Sequence, residues 1–166
     1  MRSQPPLEHR APLDFRGTYT ETEVARLHAG LSPQEMEDKW NVVYEAPWLF
    51  FHRSWTGFCI YGVQLAPTAT GASIVESWVN RDASQYRGST VEHDRAVLRF
   101  LIDGLMLGKR VDLPARPGEH LDGLAKALYE HRMVGRIASE ATYEWVRTES
   151  SPWWQRLLRT FSWSKR

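Results

Sequence analysis

Between residues 40 and 65 apolar side chains recur at alternate positions, and the links between the alternating runs are only a few residues long. A two-residue period with such short links restricts this stretch to an up-and-down antiparallel sheet, because a parallel crossover needs roughly a dozen residues or more. Trp40, Val42 and Tyr44 alternate with Asn41, Val43 and Glu45, which predicts a first strand with one drier face. Ala46 and Pro47 break it. Residues 48–54 then supply a second strand with aromatics on both faces. Trp55-Thr56-Gly57 makes the next turn, where Gly57 can take a positive φ. Residues 58–65 give a third strand, 67–71 a turn and 74–80 a fourth strand, before a polar loop over 81–88.

Helical signals flank this sheet. Thr20 and Glu23 form a capping box for a short helix over 20–29 that Gly30 stops, with Val24, Leu27 and His28 facing inward. Ser32, Pro33 and Glu35 repeat the start signal for one more turn ending near Lys39. Ser89 and Glu92 form a second capping box; the helix they open carries Val97, Leu98, Leu101, Ile102 and Leu105 on one stripe and closes at Gly108. Leu121, Leu124, Ala125 and Leu128 mark a further core helix over 119–134. Residues 137–146 read either as a short final strand or as an irregular return. The prediction is an α+β fold: a four-stranded antiparallel meander sheet, five-stranded if 137–146 pairs, with two amphipathic helices packed on one face. A flexible N-terminal arm (1–17), a single α+β domain (18–150) and an amphipathic Trp/Arg-rich tail (151–166) complete the expected organisation.

A chain of 166 residues suffices for one domain that buries roughly two-thirds of its unfolded surface. Twenty-one basic residues against 20 acidic leave a net charge of +1, so no global field draws nucleic acid or an anionic membrane. Cys59 is the single cysteine; it excludes an internal disulfide and a cysteine-based zinc site and suits a reducing compartment. The first 17 residues hold Pro5, Pro6 and Pro12 and no apolar core of a secretory signal, which predicts a cytoplasmic chain. No apolar run approaches the roughly 18 residues of a membrane span. None of the six histidines falls in an H-E-x-x-H or H-x-x-x-H pattern, so no metal site is expected. The chain contains neither a G-x-S-x-G elbow nor a phosphate-cradling or dinucleotide-binding glycine motif. Serine hydrolases, P-loop enzymes and Rossmann dehydrogenases are disfavoured and no cofactor is implied, while an enzyme using scattered residues stays open.

The densest chemistry lies in Glu37-Asp38-Lys39-Trp40 and Phe51-His52-Arg53-Ser54-Trp55-Thr56-Gly57. If those strand ends meet, Asp38, Trp40, His52, Arg53, Trp55 and Arg81 form a candidate ligand-binding set. Arg53 would grip a phosphate or carboxylate, Trp40 or Trp55 would stack on a planar ring, and His52 or Asp38 would move a proton. The competing reading is ordinary sheet architecture: Arg53 pairs with Asp38 or Glu37, and Trp55 with Gly57 shapes a hairpin. Arg81, Asp82 and Tyr86 either join this pocket or cap the next helix.

The tail from 151 to 166 has four basic residues and no acidic one. Trp153, Trp154, Phe161 and Trp163 give it the composition of an interfacial membrane helix or of a docking helix. Glu37-Asp38-Lys39-Trp40, Phe50-Phe51-His52-Arg53-Ser54-Trp55-Thr56-Gly57 with Ile60-Tyr61, and Glu76-Ser77-Trp78-Val79-Asn80-Arg81-Asp82 followed by the Phe100-Leu101-Ile102 helix resemble a pattern in bacterial domains without an assigned activity. The resemblance covers roughly residues 30–108 and implies a standalone bacterial module with no catalytic residue. The expected function is a non-catalytic binding or accessory module for a small anionic, nucleotide-like ligand or a protein partner. Its rivals are a small hydrolase or transferase for a nucleotide-like substrate, with His52 or Asp38 as acid/base, and a protein docked to a membrane or assembly by its tail.

Overall fold

The computed structural model, which describes residues 4–34, 37–88, 90–112 and 114, contains the alternating stretch as strands. They are β3 (Trp40–Glu45), β4 (Trp48–Arg53) and β5 (Cys59–Thr68), followed by β6 (Gly71–Asn80). All pair antiparallel with their sequence neighbours. Among the described residues the sheet nevertheless has six strands and not the expected four or five, since β1 (Arg10–Pro12) and β2 (Thr18–Thr20) both pair with β6. β6 is ten residues long, and its outer edge would otherwise present a row of unsatisfied backbone groups.

Residues 10–20 run along that edge. Between β1 and β2 the chain kinks at Asp14 (φ 48°), and Ser77 bridges the gap: its carbonyl accepts from the Leu13 amide at 2.9 Å and its hydroxyl from the Phe15 amide at 2.8 Å. The segment expected to be a loosely held arm therefore contributes a strand and two fully apolar core residues, Leu13 and Phe15. Pro12 is tolerated because an edge strand leaves one side of each residue unpaired.

Directly paired residues point to the same face of a sheet, so the register sorts the aromatics. Trp40, Val42, Leu49, Phe51, Tyr61, Val63 and Val79 share the inner face, where they join Leu27 from the first helix and Leu98, Leu101 and Ile102 from the second in the main core. Phe50, Cys59 and Trp78 form a second buried cluster with Trp48 on the outer face. Gly62 stands between Phe50 and Trp78 there; a Cβ on it would come within 2.4 Å of the Trp78 indole. That absence of a side chain lets the indole lie across β5 towards Phe50. The Cys59 thiol, 1% exposed, is pushed up to about 12 by burial.

Helix α1 (Glu21–Ala29) has the predicted capping box: Thr20 Oγ1 accepts from the Glu23 amide, and Glu23 Oε2 from the Thr20 amide. Gly30, at φ 68°, ends it. His28 is exposed and stacks on Tyr44 at 3.9 Å instead of facing the core. The extra helical turn expected before Lys39 is not formed among its described residues. Leu31 exchanges both backbone hydrogen bonds with Val42 on the open edge of β3, which holds the chain extended.

Helix α2 (Val91–Arg99) is capped one residue later than expected, by Thr90, whose hydroxyl accepts from the His93 amide. It continues as a π-helix (Phe100–Met106) and turns off at Gly108, φ 69°. Lys109 then pins the exit to α1 through Glu23 at 2.7 Å. The helix expected over 119–134 and the segments 137–146 and 151–166, with Trp153, Trp154, Phe161 and Trp163, lie outside the described residues.

Candidate functional site

Arg53 closes β4 directly opposite Trp40, the first residue of β3. The shared face brings the guanidinium over the indole, 4.1 Å from its centroid, in cation–π geometry. Trp40 in turn stacks on Tyr61 at 5.9 Å, and Tyr61 meets Tyr86 edge-on at 5.9 Å. Tyr86 comes from the loop between β6 and α2.

Beyond the two phenols sits Asp94, wholly buried in the first turn of α2, where the helix dipole favours a negative charge. Its Oδ1 lies 2.6 Å from the Tyr86 hydroxyl and 3.0 Å from that of Tyr61, while the two hydroxyls are 2.7 Å apart. Two phenolic protons thus serve three oxygen–oxygen edges. The two shortest edges form the relay Tyr61 to Tyr86 to Asp94. Asp94 Oδ2 is paired with Arg81 Nη1 at 2.7 Å.

Burial, the neighbouring Tyr86 and the Asp94 charge hold the Tyr61 hydroxyl well above its ordinary ionisation range, and burial and Asp94 do the same for Tyr86. Tyr19 is raised by burial and by Asp103. A tyrosine whose folded pKa exceeds the ordinary value of about 10 adds stability that is complete below that pH and is lost as pH rises through the folded value. Tyrosinate absorbance from these three of the six tyrosines is therefore expected only together with loss of the circular dichroism of the fold. Their ionisation near pH 10 in a folded chain would contradict the cluster.

Of the six residues expected to bind ligand, Trp40, Arg53 and Arg81 come together around Tyr61, Tyr86 and Asp94. The other three lie elsewhere. His52 follows Phe51 in the same strand and so points to the outer face, where its Nδ1 is 3.2 Å from the Gly57 carbonyl and its ring meets Phe50. Asp38 accepts from the Gln34 amide at 2.8 Å, and its carbonyl accepts from the Ser54 hydroxyl; both bonds shape the loop before β3. Trp55, in the β4–β5 turn, is 67% exposed with the Lys39 ammonium 5.1 Å from its ring.

Trp40 is 2% exposed, with Arg53 across one ring face and Tyr61 stacked against it, so it is a support for the guanidinium and not a platform for a ligand ring. The alternative pairing of Arg53 with Asp38 or Glu37 is not formed. Among the described residues the Arg53 guanidinium has no hydrogen bond or ion pair, and burial lowers its pKa. Asp82 is a loop-capping residue, its carboxylate held low by hydrogen bonds from Ser84.

Two members of the site, Tyr61 and Asp94, were not anticipated. Asp94 had a signal: it falls on the helical stripe of Val97, Leu98 and Leu101, where a carboxylate must be buried with partners. Among the described residues no cluster of His, Cys, Asp and Glu has the arrangement of a metal site, and no helix is long and apolar enough to cross a membrane. Comparison with protein-family models, with curated proteins and with solved structures gives no match for this chain.

Proposed function

We propose that this chain is a non-catalytic binding module that takes the negative group of a small, nucleotide-like ligand at Arg53, in the cytoplasm. The observation that carries the reading is the half-buried Arg53 guanidinium, held in place by Trp40 and without an acidic partner among the described residues. A partly desolvated cation lacking a counter-charge is costly, and an incoming oxyanion with bidentate geometry removes that cost. Arg81, which follows β6, differs in being neutralised already by Asp94. The acid/base role considered for His52 loses ground, because His52 and Arg53 face opposite sides of the sheet.

Titration with a panel of mono- and dinucleotides, followed by tryptophan fluorescence, is expected to show saturable quenching by at least one of them. Arg53→Gln should weaken it at least about tenfold, the scale of one charge-assisted hydrogen bond. Equal titrations of the two proteins would reject Arg53 as the anchor.

A protein partner is supported by a separate feature: Trp55 and Phe58, 67% and 38% exposed, lie within one turn of the chain. Exposed aromatics at a hairpin end are the usual anchors of protein contacts.

A further inference from the structure

We propose that the anion site is a clamp of two arginines, Arg53 and Arg81, matched to a group that carries one negative charge over two oxygens, a phosphodiester or a carboxylate, and not to a dianionic phosphate. The inference rests on the anion-binding reading above and adds the charge of the ligand.

Val79 is the cross-strand partner of Tyr61, and Arg81 follows two residues later, on the same side as Tyr61 and Arg53. A Cβ placed on Gly88 would lie 2.9 Å from Arg81 Nη1 and 2.3 Å from Tyr86 Cε1, so the guanidinium sits against the tyrosine that links it to Tyr61. Asp94 holds Arg81 by Nη1 alone, and the Arg81 side chain is 30% exposed. A guanidinium has five N–H donors, so the remaining nitrogens can still face a ligand.

Charge then decides the class. Among the described residues, two guanidinium charges against the single Asp94 carboxylate leave one positive charge uncompensated in the cluster. A monoanion neutralises it. A dianion would leave a surplus negative charge facing a buried carboxylate, which is repulsive. Asp94 is thereby a positioning residue for Arg81 and the group that sets the charge the clamp accepts.

The test is calorimetric titration of the full chain with dimethyl phosphate, benzoate and methyl phosphate at one ionic strength and about pH 8, above the second ionisation of a phosphate monoester near pH 6. Wild type is expected to bind dimethyl phosphate or benzoate more tightly than methyl phosphate, and the comparison of the first two tells a phosphodiester from a carboxylate. Asp94→Asn, which raises the local charge by one, should shift the preference towards methyl phosphate by about tenfold. A wild-type preference for methyl phosphate, or an unchanged ratio in Asp94→Asn, overturns the proposal.

If Asp94→Asn does not fold, the double variant Arg81→Met with Asp94→Leu keeps the local charge and removes half the clamp. Its affinity for the preferred monoanion should fall about tenfold, the scale of one lost charge-assisted contact. An unchanged affinity removes Arg81 from the site. Arg53→Gln separates the two levels: no effect on binding sinks the anion site itself, whereas lost binding without any charge preference sinks only the clamp.

Discussion

Replacing Asp94 with leucine is expected to lower the unfolding free energy by about 3 kcal/mol, near the lower end for removing one partner of a buried ion pair. The lower end applies because Arg81, at 30% side-chain exposure, can turn its guanidinium towards water, while Tyr61 and Tyr86 keep each other as partners at 2.7 Å. Denaturant unfolding of Asp94→Leu, Arg81→Met and the double variant would read the coupling. The double variant should be more stable than Asp94→Leu alone, since it leaves no charge stranded. Strict additivity of the two single effects would mean that the pair does not hold the β6–α2 loop to the helix.

Phe15→Ala is expected to cost about 3–4 kcal/mol, the range for emptying a core phenylalanine site. Phe15 is 3% exposed, and its amide is bonded to Ser77. The same change in a loosely held arm would fall within about 0.5 kcal/mol of wild type. Thermal or denaturant unfolding distinguishes these outcomes, and a near-neutral result would remove β1 and its flanking residues from the cooperative unit.

These two residues also mark where the sequence could and could not be read. The strands from Trp40 to Asn80 were legible because four successive runs keep a two-residue period and are divided by Pro47, Gly57 and Gly71. α1 was legible because Thr20 and Glu23 are only three residues apart and Gly30 follows. β1 and β2 were not: three residues each give no measurable period, Pro12 argues against a strand, and their reason for pairing is the exposed edge of β6, which only the assembled sheet presents. Thr90 displaced Ser89 as the expected cap because both fit the local code, and the choice depends on where α2 meets the sheet.

The candidate site divides in the same way. Arg53 and Trp40 were both singled out, and antiparallel pairing does place them opposite each other. His52 was grouped with them by closeness along the chain, yet strand alternation sends adjacent side chains to opposite faces. Asp38 and Trp55 were grouped by the same closeness and lie in loops. Asp94, some 40 positions after Arg53 in the sequence, showed its burial through its place on the helical stripe, but its partners come from helix packing, a long-range contact that no local pattern encodes.

Nitrogen-detected NMR of the arginine and histidine side chains during addition of dimethyl phosphate addresses the ligand contact most directly. The Arg53 guanidinium resonance should move and saturate while the His52 ring stays in place. A stationary Arg53 signal, with or without movement of His52, would contradict the assignment of that cation as the anchor.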